Sequence, residues 1–279
     1  MRSKKESVYS ALPIWIFTVL FVILPLAYTV FLSFMTRTDT WDVQYRFTMQ
    51  NYRDLFSFPY PETFLKSLKL AAEVTLFSIA LGYPAGLFIA EASPKQQKFF
   101  LTAQMIPFWI NSIVRLYSII ILLRADGPLG FLKILYSYPA VVAALIYAEV
   151  PFVIYSVYSV AVKTDKSAYE AARVLGAGKM RAFLDITLPL TAKGILSGIK
   201  LSFIGAMGLF FIPNLFGGGK VLVFGNLIED QLMKIHNLPL AAALSVFLMA
   251  VTALTVSLSN FCDPIERVRH RAHRKERVR

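Results

Sequence analysis

The sequence predicts an all-α, polytopic membrane protein with six transmembrane helices. Of its 279 residues, 56% are apolar and only 16% are charged, whereas about a quarter are charged in ordinary globular domains. Long apolar runs without a polar stripe at the helical period exclude a bundle of soluble helices. A hydrocarbon core takes about 20 residues of apolar helix. Six runs meet that length, at roughly 11–35, 64–92, 99–123, 139–162, 191–215 and 238–262.

The first run is preceded by basic residues, as in a signal peptide. It is longer than the apolar region of a signal peptide, however, and no A-x-A cleavage site follows it. We therefore expect an uncleaved first span, preceded by a short N-terminal segment at 1–10.

Positive charge is distributed unevenly between the two sides that six spans create. The net charge of +12 and the pI near 9.7 are typical of nucleic-acid-binding proteins, but 18 of the 29 Lys and Arg residues fall on the side of the two termini and nine on the other. The positive-inside rule then predicts that both termini are cytoplasmic. The basic tail at 263–279 is expected to face anionic lipid, not nucleic acid.

A single cysteine, Cys262, excludes disulfide frameworks and cysteine-based metal clusters. The two histidines of the basic tail, His270 and His273, lie among cations that repel a metal ion. We expect neither a metal site nor a bound cofactor in this chain.

The segment at 163–190 is the one long loop on the cytoplasmic side. Asp165 or Ser167 is suited to cap a helix that runs through Leu175, and Gly176 and Gly178 favour a sharp break after it. A second short helix follows, and Pro189 is expected to open the fifth span. The amphipathic pattern is compatible both with docking onto a soluble partner and with lying on lipid.

Seven residues of this loop form a spaced motif, E-A-A-x3-G-x9-I-x-L-P, which resembles the EAA loop of ABC-importer permeases. The resemblance implies a type I (MetI-like) permease fold and a loop that docks into a cleft of a cytoplasmic ATPase. ATP and Mg²⁺ would bind to that ATPase, because neither glycine-rich stretch of this chain continues as a P-loop. The coupling residues so implied are Glu170, Ala171, Ala172, Gly176, Ile186, Leu188 and Pro189.

A second stretch, PFWINSIVRLY at 107–117, is similar to the corresponding stretch of spermidine/putrescine permeases, in the first of their two permease subunits. The segments at 82–84, 206–218 and 225–226 carry the same resemblance. It implies polyamine transport across a bacterial inner membrane. The implied partners are a second, homologous permease, an ATPase dimer and an extracytoplasmic substrate-binding protein.

Charged residues at bilayer depth are expected to face protein or water, because isolated charges there are costly. One interpretation pairs Arg115 with Glu149 or Glu73 to lock the bundle. The other lines a path on which aromatic rings and a carboxylate hold an ammonium group, with Asn111 acting either as a ligand or as a contact between helices. The candidate path residues are Trp109, Asn111, Arg115, Tyr117, Tyr147, Glu149, Tyr155 and Glu73.

Two other functions are compatible with an apolar, multi-span chain. A proton-coupled secondary transporter would use Glu73 and Glu149 as a relay, although no internal repeat is evident. A membrane-embedded enzyme lacks support, because the sequence has neither a Ser/His/Asp cluster nor a metal-ligand spacing. Transport of another small solute by an ABC permease also stays open.

Overall fold

The computed structural model describes residues 12–38, 43–165 and 167–261, with side chains up to residue 257. The expectations for the N-terminal segment 1–10 and for the tail 263–279 fall outside these residues. In chain order the elements are α1 (Leu12–Ser33), β1 (Thr36–Arg37), β2 (Val43–Gln44), α2 (Gln50–Asp54), α3 (Tyr60–Glu91), α4 (Pro94–Trp109), α5 (Ser112–Leu123), α6 (Tyr138–Ala161), α7 (Ser167–Val174), α8 (Lys179–Gly208), α9 (Phe211–Gly217), α10 (Phe224–Met233) and α11 (Leu238–Phe261).

Within the described ranges, five single helices are long and apolar enough to cross a membrane: α1, α3, α6, α8 and α11. A sixth candidate span is broken, because α4 and α5 meet at 92°. The prediction of one continuous helix over 99–123 is therefore wrong, because this segment forms parts of two helices at a sharp angle.

The bent pair α4 and α5 precedes α6 in the chain and contacts it. Near the start of α4, Gln97 accepts a hydrogen bond of 3.1 Å from Tyr158 near the end of α6. The chain then leaves α5 and enters the start of α6, which lies beside α3 through the 2.6 Å bond from Tyr138 to Glu73. By its 92° bend, the pair is a broken span or a re-entrant segment.

The described residues form two compact units, one made by 12–62 and 226–253 and the other by 63–225 and 254–261. In the first unit, β1 and β2 form a short antiparallel ladder after α1. Asn51 of α2 donates to the carbonyl oxygens of Ser33 and Met35 at 2.9 and 2.8 Å. These bonds satisfy carbonyl groups that the end of α1 leaves without helical partners.

The second unit is built around α6, whose Val141, Leu145, Val153 and Val157 are fully buried. Glycines on the neighbouring helices allow the close approach: a Cβ on Gly86 of α3 would lie 2.9 Å from the Ile154 carbonyl oxygen. Small residues at helix contacts let backbones pack directly in membrane bundles. The helices α3, α6 and α8 therefore form one tightly packed core.

The fifth span differs from its prediction at both ends. It was expected at 191–215 with Pro189 at its start, but α8 runs without interruption from Lys179 to Gly208. A wide π-helical turn at Phe183–Thr187 joins the expected second short helix to the span, and the chain after Gly208 turns into the separate helix α9.

Candidate coupling and translocation sites

The loop after α6 folds into the short helix α7, whose start is fixed by Asp165. The Asp165 carboxylate accepts hydrogen bonds from the backbone N–H of Ser167 at 2.9 Å and from its hydroxyl at 2.8 Å. Both bonds favour the ionised form and lower the pKa of Asp165 below its ordinary value. Of the two predicted caps, the structure uses Asp165, and Glu170 lies in the first helical turn.

The end of α7 is closed by a Schellman turn at Gly176. The N–H of Gly176 donates to the Arg173 carbonyl oxygen and that of Ala177 to the Ala172 carbonyl oxygen, at 3.1 and 3.0 Å. Gly176 has φ +87°, a left-handed conformation that side chains disfavour. Gly178 has an ordinary φ of −64° and precedes α8. The predicted break thus depends on Gly176 but not on Gly178.

A cavity of about 440 Å³ lies between the ends of α3 and α6 and the starts of α7 and α8. Glu170 of α7 and Ile186 of α8 both line it, so two distant positions of the motif meet there. Leu188 is half-buried and Pro189 is exposed on the next turn of α8, while Ala171 and Ala172 lie on α7. Two further carboxylates, Glu91 and Asp165, complete an acidic rim.

The outer face of this loop is apolar and uncovered. Val174 is 88% exposed, Leu175 is 87% exposed and Met180 is also exposed, and no residue of α7 is buried in the chain itself. Hydrophobic side chains clustered on one exposed loop mark an interaction surface. The surface is flanked by Arg173, Lys179 and Arg181.

The bend between α4 and α5 is held by two of the predicted path residues. The side chain of Asn111 accepts a 2.9 Å hydrogen bond from the N–H of Ile113 and caps α5. Arg115 of α5 reaches back and donates through Nη1 to the Pro107 carbonyl oxygen of α4 at 3.0 Å. Both side chains therefore have structural partners.

Arg115 is surrounded by aromatic rings. Its guanidinium carbon lies 4.1 Å from the ring centre of Phe108 and 5.6 Å from that of Tyr147. Among the described residues it forms no ion pair with Glu149 or Glu73. The interpretation that paired Arg115 with one of these acids is wrong for this structure.

Two predicted aromatic residues share a groove of about 500 Å³ between α4 and α6. Trp109, 77% exposed at the end of α4, and Tyr155 of α6 line it together with Phe152. Tyr117 and Tyr147 are exposed as well but do not line this groove. The groove is lined mainly by apolar and aromatic side chains, and Thr102 and Tyr155 are its two residues with hydroxyl groups.

Glu149 lies in the middle of α6 and is only 4% exposed. Its carboxylate occupies the space where a side chain on α8 would begin: a Cβ on Gly205 would lie 2.1 Å from Oε1. Within the part of the chain described here, the carboxylate has neither a hydrogen-bond donor nor a cation as partner. It is a buried acid without local compensation.

Glu73 contrasts with Glu149, although both lie within spans. It accepts a 2.6 Å hydrogen bond from Tyr138 and lies 3.7 Å from the ammonium group of Lys69 on the same helix. These contacts connect α3 to the start of α6. Of the two acids that the sequence analysis grouped together, Glu73 therefore has local partners and Glu149 has none among the described residues.

Sequence reasoning missed Gly205 and Phe108 as site residues. Gly205 lies in an apolar run with nothing local to mark its neighbour on α6, and only the fold reveals the contact. Phe108 stands in the 107–117 stretch three residues before the cap Asn111. Among the described residues no group of three or more His, Cys, Asp or Glu is arranged to hold a metal.

Comparisons with known proteins agree with this architecture. The model of the binding-protein-dependent transport system inner membrane component matches residues 82–266. Over 247 residues the chain is 40% identical to the spermidine/putrescine transport system permease protein PotB of Salmonella typhimurium (strain SL1344), covering 85% of this chain and 86% of that protein. Identity to PotB of Escherichia coli (strain K12) is 39%, covering 85% and 90%.

The fold has a counterpart among solved structures. A chain of the crystal structure of a bacterial alginate ABC transporter, in complex with alginate pentasaccharide-bound periplasmic protein, superimposes with a TM-score of 0.75. The match covers 94% of this chain and 95% of that one at 18% identity. The chain belongs to the binding-protein-dependent transport system inner membrane components and is a permease subunit of an ABC importer.

Proposed function

We propose that this permease carries polyamines, spermidine or putrescine, across a bacterial inner membrane. The observation that carries the proposal is Glu149, a buried carboxylate inside the helix bundle that has no cation of its own among the described residues. An ammonium group is the natural partner for such a carboxylate. The relatives named for spermidine and putrescine, similar over 85% of the chain, support the same substrate class.

Glu149 is proposed to meet the substrate only after the bundle opens. In the present packing Gly205 of α8 lies directly against the carboxylate, so an ammonium group reaches it when α6 and α8 separate. Aromatic faces would guide the cation toward it, each worth about 0.5–2 kcal/mol. Asn111 and Arg115 are proposed to shape the bend. The residues proposed to line the route are Trp109, Tyr117, Tyr147, Tyr155 and Glu73.

The apolar surface of α7 and of the following turn is proposed to dock into a cytoplasmic ATPase. Val174, Leu175 and Met180 supply the apolar contact, and Glu170 faces the cavity beside α8. Closure of the ATPase would move α7 against the start of α8. Since α8 continues to Gly205, the movement would reach the contact with Glu149.

The proposed assembly contains this permease, a second homologous permease, two ATPase subunits and an extracytoplasmic substrate-binding protein. Both termini and the loop 163–190 are placed on the cytoplasmic side, in accordance with the excess of Lys and Arg there. ATP hydrolysis belongs to the ATPase subunits and not to this chain.

The substrate assignment is tested with the complete transporter reconstituted in liposomes with its binding protein. We expect ATP-dependent uptake of labelled spermidine or putrescine, and at least a tenfold loss with Glu149→Gln while basal ATPase activity is retained. Glu73→Gln is the comparison, with a smaller loss expected because Glu73 already has partners. Failure of the binding protein to bind either polyamine contradicts the substrate class. Uptake driven by a proton gradient without ATP supports the rival secondary transporter.

A further inference from the structure

The bend between α4 and α5 places Trp109 at the exposed edge of the aromatic groove. Two helices that meet at 92° inside a membrane leave carbonyl groups without helical partners at the break. A polar side chain is one way to satisfy them inside a membrane. The side chain that does so here is Arg115.

Arg115, on α5, contacts the two neighbouring helices α4 and α6. From α5 it donates to the Pro107 carbonyl oxygen of α4 and lies over the Phe108 ring of the same helix. It also lies near the ring of Tyr147 on α6. Phe108 in turn packs edge-on against Phe152 of α6, with ring centres 5.7 Å apart and an interplanar angle of 79°.

The charge of Arg115 is held by ring faces and a carbonyl oxygen. Its Nε is buried and has no hydrogen-bond partner among the described residues. The planar guanidinium stacks on rings while its edge donates hydrogen bonds, a combination that a lysine does not reproduce. Arg115 therefore has the properties of a clamp for the bend and not those of half an ion pair.

We infer that Arg115 is a positioning residue, which fixes the bend of the broken span and thereby orients Trp109 toward the transported cation. This inference deepens the proposed function and rests on it for the role of Trp109. The guanidinium acts through Pro107 and Phe108, so it need not touch the solute. An arginine that binds an anionic solute directly is the opposing interpretation.

The test measures separately transport and how firmly Trp109 is held, because a fluorophore that is no longer fixed in one orientation rotates more freely. The chain has three tryptophans, Trp15, Trp41 and Trp109, so Trp15→Phe with Trp41→Phe leaves Trp109 as the only reporter in this subunit, provided that the tryptophans of the partner subunits are also replaced. In the complete transporter, Arg115→Lys is expected to lower the fluorescence anisotropy of Trp109 and raise the KM for spermidine about tenfold. Basal ATPase activity and the maximal uptake rate should change less than twofold.

Two aromatic variants keep the test decisive if Arg115→Lys fails to fold. Phe108→Leu removes the ring under the guanidinium and should reproduce the fall in anisotropy, whereas Phe108→Tyr retains a ring there and should leave the anisotropy as in the parent protein. Unchanged anisotropy in both Arg115→Lys and Phe108→Leu overturns the inference. A change in the preferred charge of the solute with Arg115→Gln, without any change at Trp109, also overturns it.

The outcome is separable from that of the proposed function. The anisotropy of Trp109 needs no substrate, so a clamp at Arg115 is detected even if polyamines are not transported. Conversely, polyamine uptake that is insensitive to Arg115→Lys leaves the substrate assignment in place and removes only the inference about the bend.

Discussion

The side chain of Glu149 on α6 fills the space beside Gly205 on α8, so neither residue can be replaced without affecting the other. The carboxylate of Glu149 fills the position at which a Cβ on Gly205 would start, 2.1 Å from Oε1 and 2.6 Å from Cδ. Real Cβ atoms do not approach other atoms so closely. The absence of a side chain on α8 is thus what allows an acid to be buried at this level of the bundle.

Gly205→Ala is expected to destabilise the permease by about 1–3 kcal/mol, because it forces the Glu149 carboxylate or the backbone of α8 to move. The matched control is Gly208→Ala on the same helix, where a Cβ meets nothing within 4 Å. Thermal unfolding of the purified transporter and polyamine uptake measure both variants. Equal melting temperatures for the two alanine variants would contradict the steric role of Gly205.

At the residue scale, the sequence indicated which types of residue lie within a span but not which residues contact each other. It identified Glu149 as an acid inside a span, since a carboxylate in an apolar run is visible by itself. It did not identify the neighbour Gly205, 56 positions later, because a contact between helices leaves no local pattern. For Arg115, one of the two interpretations offered an acid as partner, and neither identified Pro107 and Phe108, which are closer in the chain.

The elements around the coupling loop form a short helix between two fixed ends. Asp165 fixes the start of α7, and the Schellman turn at Gly176 fixes its end. Between these ends the helix buries none of its residues in the chain itself, so packing adds little to its stability. Its geometry depends mainly on the cap and on the turn.

Gly176→Ala should therefore weaken the coupling between ATP hydrolysis and uptake. The left-handed backbone at φ +87° costs a side chain about 1–2 kcal/mol, enough to displace α7 from its docking position. Gly178→Ala is the control, since Gly178 has an ordinary φ and open space around its Cα. We expect at least a fivefold lower ratio of uptake to ATP hydrolysed for Gly176→Ala, and near-parental behaviour for Gly178→Ala. Indistinguishable ratios would show that the turn does not position the docking surface.

Element boundaries explain the remaining differences between sequence and structure. The sequence predicts a helix start at Pro189, but the π-helical turn before it accommodates the missing N–H. The N–H of Leu188 donates to the Phe183 carbonyl oxygen, five residues back. The break within 99–123 is marked in the sequence by Pro107 and by Asn111, a good N-cap residue. The sequence analysis nevertheless predicts one continuous helix there, because the apolar run is long enough to span a membrane.

At the scale of the whole molecule, one end of the second unit gathers the residues proposed to couple with the ATPase. The ends of α3 and α6 and the start of α8 surround the cavity beside α7, and Tyr83 of α3 bonds to Thr191 of α8 at 3.0 Å. From Ile186 at that cavity to Gly205 beside Glu149, α8 rises about 28 Å at 1.5 Å per residue. A single helix thus connects the coupling surface with the buried acid.

This arrangement predicts which loops are reached from which side of the membrane. Ala125 is an exposed alanine in the segment between α5 and α6, and Ala168 is an exposed alanine in the first turn of α7. Cys262 is the only native cysteine. In a Cys262→Ser background, Ala125→Cys should react with a membrane-impermeant thiol reagent added to intact spheroplasts. Ala168→Cys should react only after the membrane is permeabilised, because positive charge keeps its loop in the cytoplasm. The two variants carry the same thiol group and differ only in its position. Labelling of Ala168→Cys from outside, with Ala125→Cys protected, would show the opposite orientation. The loop 163–190 would then be out of reach of a cytoplasmic ATPase.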